Sequence, residues 1–310
     1  MQPPNKKGPF KPMLSHITDF NGRSEKYTAY VKKVEQSRFT TGFDIVDKDI
    51  RGIAAGEMMI ISAYSGTFKS AYLQNILMGY SSRSGLYSLF FSLEMPNEKV
   101  YEREMQIANS ITSKEVEHRA LNVHQRTLDQ LNKCRTSGAS KVLTVERPKL
   151  TLEHIAEYIE LAKVKYELGV VGIDYLGLMK GGAGRSSADL TEDLSNGAKE
   201  LAKEANLPVI LLTQINRAAA RAQSDEGSEI ELHHLKYGGE AGADIVLGLY
   251  RDQEESLVLK ILKNRGGVIN KRYKAEIIPH AMRFEGFSDY IPPPKKRGGY
   301  KKQQQDDLPI

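Results

Sequence analysis

A lysine and a serine follow a short loop of small residues, and these residue types are typical of a phosphate-binding site. The loop reads Ala63-Tyr-Ser-Gly-Thr-Phe-Lys-Ser70 and comes directly after the apolar run 58–62. In a P-loop, backbone N–H groups at a helix start bind phosphates, the lysine reaches the β- and γ-phosphates, and the serine hydroxyl ligates Mg²⁺. The candidate nucleotide-binding residues are Ser65, Gly66, Thr67, Phe68, Lys69 and Ser70, and Ser70 is also a candidate Mg²⁺ ligand.

The loop departs from the usual P-loop pattern at the position before the lysine. Phe68 stands where that pattern has glycine, and Gly66 is the only glycine of the loop. Glycine permits a positive φ and a close approach of backbone to ligand, whereas phenylalanine tolerates both poorly. The motif alone leaves two interpretations open: a nucleotide site, or an ordinary strand–turn–helix with a solvated lysine.

Carboxylates follow two further apolar segments. Glu94 lies in Ser92-Leu-Glu-Met-Pro96, and Asp174 ends Val170-Val-Gly-Ile-Asp174. Ligands of open α/β sheets bind beyond the carboxyl ends of the strands, so both carboxylates are expected on the same edge as Lys69. Asp174 would hold Mg²⁺, and Glu94 would deprotonate the attacking water. The alternatives are a helix N-cap for Asp174 and a helix-start carboxylate for Glu94, and the order of the three elements favours the catalytic interpretation.

Two more polar segments carry candidate catalytic residues. The apolar run from Val209 ends in Thr213-Gln214, which places an amide where it can contact the γ-phosphate. Lys263 and Arg265 lie at the tip of a predicted hairpin, where Arg265 is suited to act in a neighbouring subunit as an arginine finger. The alternatives are a polar strand end for Gln214 and a solvated turn for Arg265.

Strands and helices alternate along the chain and must position these residues. This alternation predicts an α/β fold, with a mostly parallel twisted sheet that has helices on both faces and a C-terminal β-hairpin. The predicted strands are 58–62, 86–92, 142–145, 170–174, 208–213 and 245–250, with a hairpin of 256–264 and 270–277. The predicted helices between them are 70–81, 97–109, 114–134, 152–168, 187–205 and 239–243.

Composition completes the prediction. We expect a disordered tail over 1–23, a linker helix over 24–38, the ATPase domain over 39–288, and a disordered basic tail over 289–310. The net charge is +5, and Cys134 is the only cysteine, which excludes an internal disulfide framework and suits a reducing cytoplasm. No apolar run reaches the length of a membrane-spanning helix, so no membrane association is expected.

From about Thr40 to Phe284 the chain resembles the RecA-like P-loop motor domain of DnaB-type replicative helicases. The resemblance rests on the segments 92–96, 173–179, 194–204, 212–217, 242–252 and 263–265. It implies ATP and Mg²⁺ as cofactors, with Lys69 and Ser70 on the phosphates and Mg²⁺. It also implies that Glu94 is the catalytic base, that Asp174 is the metal-side carboxylate, and that Gln214 couples the ATP state to DNA-binding loops. Lys263 and Arg265 would reach the neighbouring subunit's γ-phosphate.

The resemblance further implies a homo-oligomer, a hexameric ring, which translocates five-prime to three-prime on single-stranded DNA. The candidate DNA-binding residues are Arg185, Arg217 and Arg221. Candidate partners are primase, polymerase and a helicase loader. The form is short and lacks the family's N-terminal helical domain, which suggests a phage or mobile-element origin and a location in the cytoplasm, or in the host cytoplasm. Two alternatives remain: a RecA/RadA-like recombination ATPase, and a nucleotide- and DNA-binding module whose hydrolysis is impaired by Phe68.

Overall fold

The structure of the protein is a computed structural model that describes residues 18–122, 125–147, 150–174, 187–215, 229–235 and 240–292. Within these ranges the chain forms a nine-stranded sheet in the order β3-β2-β4-β5-β1-β6-β7-β8-β9. The strands are β1 (Met58–Tyr64), β2 (Tyr87–Ser92), β3 (Val142–Val145), β4 (Leu168–Asp174), β5 (Val209–Ile215), β6 (Ile245–Arg251), β7 (Leu257–Asn264), β8 (Arg272–Ile278) and β9 (Arg283–Asp289).

The first six strands in this order, β3-β2-β4-β5-β1-β6, pair in parallel. Strands β7, β8 and β9 extend the sheet with antiparallel pairs. The helices of the described ranges are α1 (Phe20–Ser37), α2 (Asp44–Ile50), α3 (Lys69–Ser84), α4 (Asn97–Asn109), α5 (Ser113–Leu121), α6 (Gln125–Thr136), α7 (Leu152–Lys165) and α8 (Ser187–Ala205).

Both faces of the sheet are covered by apolar side chains. Every residue of β1 is buried: Ile60 belongs to the layer packed by α7 and α8, and Ile61 to the layer packed by α2 and α3. A strand that is buried on both faces reads as a continuous apolar run, which is why the sequence predicted the central strands well. The result is the predicted α/β sheet, with the carboxyl ends of β1, β2, β4 and β5 at one edge.

Several predicted elements need correction. Residues 240–242 form a turn rather than part of a predicted helix over 239–243, because Gly242 and the short apolar stretch do not sustain one. The helix predicted over 114–134 is two helices, α5 and α6, in the described residues. The predicted helix over 152–168 ends at Lys165, since Leu168 already belongs to β4. Helix α2 and strand β9 were not predicted.

The linker helix is longer than predicted, because α1 begins at Phe20, where Asp19 accepts a hydrogen bond from Gly22 N at 2.8 Å. Its side chains Tyr27, Tyr30 and Val31 are exposed, whereas Val34 is buried. The tails predicted over 1–23 and 289–310 lie mostly outside the described residues. None of the helices within the described ranges combines the length and the apolar character needed to cross a bilayer.

Candidate nucleotide site

The loop after β1 has the backbone geometry of a phosphate-binding loop. Gly66 has φ +79°, and Phe68, directly before α3, has φ 59° and ψ 17°, which is the left-handed region. The Thr67 hydroxyl donates to the carbonyl of Tyr64, and Tyr72 N donates to the carbonyl of Phe68 at 2.8 Å. The backbone N–H groups at the start of α3 therefore point toward the space in front of the loop, where an anion is favoured.

Phe68 adopts the conformation for which glycine is usual. A left-handed residue with a side chain costs about 1–2 kcal/mol. The Phe68 side chain packs against the core layer of α3, and the Arg251 guanidinium lies 5.6 Å from its ring centre. These contacts hold the loop in this conformation. The loop therefore keeps the backbone path of a phosphate-binding loop with phenylalanine at the position where glycine is usual.

Lys69 lies beside Asp174 at the carboxyl end of β4. Lys69 Nζ is 3.8 Å from Asp174 Oδ1, and the two side chains are 10% and 1% exposed. Burial lowers the pKa of Lys69, opposed by the charges of Asp174 and Glu94. Burial raises the pKa of Asp174, opposed by the Lys69 charge and the nearby Ser70 hydroxyl. Both directions have one cause, since burial removes water from these charged groups and so disfavours their charged forms.

The Asp174 carboxylate fits a role as a cation ligand. Neither of its oxygens accepts a hydrogen bond of ordinary geometry from the described residues, although both are buried. A buried carboxylate whose oxygens lack such hydrogen bonds is unfavourable, so Asp174 has acceptor capacity left for a ligand beside Lys69. No group of three or more His, Cys, Asp or Glu in the described ranges has the arrangement of a metal site. A Mg²⁺ ion held by Ser70 and Asp174 would therefore take its remaining ligands from phosphate and water, as Mg²⁺ usually does.

A cavity of about 270 Å³ lies in front of the loop. Glu94 and Gln214 line it together with residues of the loop from Ser65 to Ser70. Glu94 lies close to Asp174 because Leu93 N donates to the Asp174 carbonyl at 2.8 Å. The structure thus brings the lysine, the two strand-end residues Glu94 and Asp174, and the amide of Gln214 to one edge of the sheet.

Arg103 also lines this cavity, and the sequence interpretation missed it. Its Nη1 donates to Gln74 Oε1 at 3.3 Å, and burial lowers its pKa against the opposing charges of Asp174 and Glu94. A signal for it exists in the sequence, because Arg103 is three residues after Val100 and four before Ile107. Both of those residues are buried, so Arg103 belongs to the inward face of α4.

Lys263 and Arg265 lie at the opposite edge of the sheet. Arg265 Nη1 is 3.2 Å from Asp244 Oδ1, and its Nη2 donates to the Ala241 carbonyl at 3.1 Å. Asp244 also accepts a hydrogen bond from Met58 N, at the start of β1, at 2.8 Å. Lys263 donates to the Glu240 and Ala241 carbonyls, and its pKa is lowered by burial and by the Arg265 charge.

The two groups are therefore separated by the whole length of β1. Lys69 follows the carboxyl end of this seven-residue strand, and Arg265 lies beside its amino end. A strand of that length spans about 20 Å. Arg265 cannot reach the nucleotide cavity of its own chain. The candidate DNA-contact residues Arg185, Arg217 and Arg221 lie outside the described residues.

A parallel sheet with this strand order and a loop of this geometry defines a P-loop nucleotide-binding domain of the RecA-like class. A comparison with solved structures gives the same fold. A solved ATPase domain superposes with a TM-score of 0.74 at 21% identity, covering 87% of this chain and 100% of that one. A DnaB-like replicative helicase, studied with its interactions with primase, superposes with a TM-score of 0.71 at 21% identity, covering 86% and 67%.

The chain belongs to the family described as DnaB-like helicase C terminal domain, whose model matches residues 39–286. The replicative DNA helicase DnaB of Rickettsia prowazekii is 28% identical over 232 residues, 69% of this chain and 46% of the relative. That of Mycoplasma pneumoniae is 30% identical over 233 residues, 69% of this chain and 47% of the relative. The chain spans about half the length of the curated relatives it matches. The predicted family and the RecA-like fold are confirmed.

Proposed function

We propose that this chain is the motor of a replicative DNA helicase, which forms a ring and translocates five-prime to three-prime on single-stranded DNA by hydrolysing ATP. One observation carries the proposal. Lys69, Asp174, Glu94 and Gln214 lie at one edge of the sheet, and Arg265 lies at the other. Membership of the DnaB-like family supports DNA as the substrate and replication as the process.

Within one chain, the roles follow from position and charge. Lys69 and the N–H groups at the start of α3 bind the phosphates, and Ser70 with Asp174 holds Mg²⁺. The bound ion would neutralise charge on the phosphate oxygens. Glu94 lines the cavity, where it accepts the proton of the attacking water. Gln214 senses the γ-phosphate at the end of β5, and Arg103 stabilises the negative charge from the side of α4.

The active site is completed by a second copy of the chain. Arg265 cannot reach its own cavity, but its side chain is 55% exposed at the far edge of the sheet. An exposed guanidinium there can enter the cavity of a neighbour and stabilise charge in the transition state. The exposed Tyr27 and Tyr30 of α1 add a surface that a neighbouring copy would cover. We propose a homo-oligomer, a hexamer, on this basis.

Similarity to known helicases suggests further partners for this chain. The structure of a DnaB-like helicase studied with primase supports primase as a partner of this chain, with polymerase or a loader as further candidates. We place the protein in the cytoplasm, or in the host cytoplasm if a phage encodes it. The candidate DNA contacts remain Arg185, Arg217 and Arg221.

ATP hydrolysis by the purified protein, measured with and without single-stranded DNA, tests the proposal. We expect turnover that DNA stimulates, and we expect Glu94→Gln to abolish it while nucleotide binding persists. Glu98→Gln is the matched control, since Glu98 is an exposed carboxylate of the same region. Absence of DNA-stimulated turnover in the unmodified protein would reject the motor.

Phe68 favours a second candidate, a module that binds nucleotide and DNA but hydrolyses poorly. Its left-handed backbone stands where the usual loop has glycine. Tight ATP binding without turnover at any DNA concentration would establish this candidate instead. A recombination ATPase would show turnover too, but electron micrographs would then show open filaments rather than closed rings.

A further inference from the structure

A row of four polar residues and one glycine crosses the face of the sheet that α7 and α8 cover. Its members are paired directly across the adjacent strands β5, β1, β6, β7 and β8, in the order Thr213, Ser62, Gly248, Lys260 and Arg272. On β7 the neighbours on this face are apolar, since Val258 and Leu262 lie on either side of Lys260. Lys260 is a charged residue with 1% exposure in the middle of an apolar layer.

The glycine of this row receives a side chain from another segment. Ile230 is fully buried, and a Cβ built on Gly248 would lie 3.1 Å from its Cγ2 and 3.3 Å from its Cβ. The absence of a side chain at Gly248 therefore makes room for Ile230. The segment 229–235 packs on the sheet at this point.

The carboxylates on either side of Ile230 bind the two cations of the row. Lys260 Nζ is 2.7 Å from Glu229 Oε1 and also contacts Glu231 Oε1. Arg272 Nε donates to Glu229 Oε1 at 2.8 Å. One apolar side chain and three ionic contacts thus fix the segment in one register along the sheet.

Stability alone does not explain this arrangement. A buried ion pair is often no more stable than apolar residues of similar volume, because the charges lose their hydration. What the ion pair adds is a defined position, since a shift of one residue would leave charges buried without partners. The Lys260 cluster (Lys260, Arg272, Glu229 and Glu231) therefore specifies where the segment lies.

The segment that is fixed in this way belongs to the connection between β5, which ends at Ile215, and β6, which begins at Ile245. The strand from which that connection starts contributes to the same row, because Thr213 Oγ1 is 3.0 Å from Ser62 Oγ. The row thus contacts the chain twice, at the end of β5 beside the nucleotide cavity and within the connection at Lys260.

We propose that Lys260 is a positioning residue, which with Arg272 anchors residues 229–235 of the β5–β6 connection so that DNA bound by this connection can stimulate ATP hydrolysis. The inference rests on the proposed function. It adds a group that touches neither nucleotide nor Mg²⁺ and that sets the response to DNA rather than the basal rate. The coupling between DNA and hydrolysis passes through the position of residues 229–235.

The test compares the cluster without its lysine and the cluster without its lysine and both glutamates. Lys260→Met alone leaves Glu231 without a cation and Glu229 with Arg272 only, and we expect a lower melting temperature. The triple variant Lys260→Met/Glu229→Gln/Glu231→Gln also removes both carboxylates and leaves Arg272, whose side chain is 33% exposed and can be hydrated, so we expect its melting temperature to return close to that of the unmodified protein. Lys274→Met is the matched control, because Lys274 is an exposed lysine of the neighbouring strand β8.

In the triple variant we expect unchanged basal ATP hydrolysis and a DNA-stimulated increment that falls about fivefold or more. Hydrogen exchange of the amides of residues 229–235 should be faster, while that of α3 stays the same. A stimulated increment as large as that of the control would overturn the inference. If the unmodified protein shows no stimulation, the proposed function fails, and exchange of 229–235 unchanged in the triple variant would overturn the anchor by itself.

Discussion

The two edges of the sheet differ in how their charged groups are satisfied. At the nucleotide edge, Asp174 is buried and accepts no hydrogen bond of ordinary geometry from the described residues, and Lys69 is its neighbour at 3.8 Å. At the opposite edge, Asp244 binds Arg265, Met58 N and Lys199, the last at 2.6 Å. The nucleotide edge is arranged to receive a ligand. At the opposite edge, Asp244 already holds the side chains of Arg265 and Lys199.

This difference shows why neither edge is sufficient. In the proposed mechanism Asp174, Lys69 and Arg103 act on phosphate and Mg²⁺ from one side, and Arg265 of a second copy adds a cation from another direction. An arginine held by Asp244 is oriented for that task and lies about 20 Å away in its own chain. The contrast between the edges is therefore the structural argument for a site shared by two copies.

The largest expected effect is the loss of turnover when Arg265 is removed, and mixing variant subunits tests whether the two edges of different copies act together. Arg265→Ala should lower turnover on the order of a thousandfold and leave nucleotide binding intact, because only transition-state charge stabilisation is lost. Mixed with Lys69→Ala, it should regain turnover, since one variant supplies the cavity and the other supplies Arg265. The measurement is ATP hydrolysis across a series of mixing ratios.

A mixture of Lys69→Ala with Glu94→Gln is the matched control. Both of these residues belong to the same edge, so no interface of that mixture is complete. Recovery in both mixtures, or in neither, would contradict a shared site.

Arg103 sharpens the description of the nucleotide edge. Arg103→Met should lower turnover on the order of tenfold, because a cation beside Glu94 and Asp174 is lost while the apolar part of the side chain is kept. Arg119→Met is a suitable comparison, as Arg119 pairs with Glu115 within α5, away from the cavity. Equal kcat values for the two variants would remove Arg103 from the site.

Phe68 gives a smaller effect and tests the strain in the loop. Phe68→Gly and Phe68→Ala both lose the ring and its contact with Arg251, but only alanine keeps a Cβ at positive φ. The glycine variant should therefore be the more stable of the two by about 1 kcal/mol. Chemical denaturation measures this difference, and its absence would show that residue 68 does not need the left-handed conformation.

Glu104 gives the smallest expected effect on turnover, since it is a buried carboxyl away from both edges. Its Oε1 has no hydrogen-bond partner in the described part of the chain, and burial raises its pKa to about 8. The folded state thus keeps a proton that the unfolded chain releases near its ordinary value of 4.5. Stability should fall as pH rises from there through 8, because the unfolded state binds fewer protons.

Melting temperatures of Glu104→Gln across this pH range check that prediction. The variant should show a flatter profile than the unmodified protein and an unchanged kcat. A profile as steep as before would assign the pH dependence to another group. Glu104 then contrasts with Asp174. Both carboxyls have oxygens without a hydrogen-bond partner in the described residues, but only Asp174 lies where cations and backbone donors converge to form a binding site.

The sequence predicted the central strands and the convergence of the strand-end residues because both depend on local patterns. Apolar runs such as Met58–Tyr64 form buried parallel strands, and polar residues directly after them must meet at one edge. Glu94, Asp174 and Gln214 were placed by that rule alone.

What the sequence did not show depends on tertiary contacts. Strand β9 alternates buried and exposed residues weakly and is defined by its pairing with β8. The spacing of Arg103 from Val100 and Ile107 indicates the inward face of α4, but it does not show that the nucleotide cavity lies beside that face. The conformation of Phe68 depends on where its ring packs, and the role of Lys260 on residues 229–231, which approach it from another segment. None of these contacts has a signature in the residues next to it along the chain.

The position of Asp244 has a mechanical consequence. It ties Arg265 to the amino end of β1, and the nucleotide loop begins at the carboxyl end of the same strand. Within the proposed ring, each subunit therefore moves as a rigid body that carries the phosphate-binding loop at one end of β1 and Arg265 at the other. A rotation that brings Arg265 closer to the neighbour on one side moves the phosphate-binding loop away from the neighbour on the other side. We therefore expect adjacent sites of such a ring to close alternately rather than together.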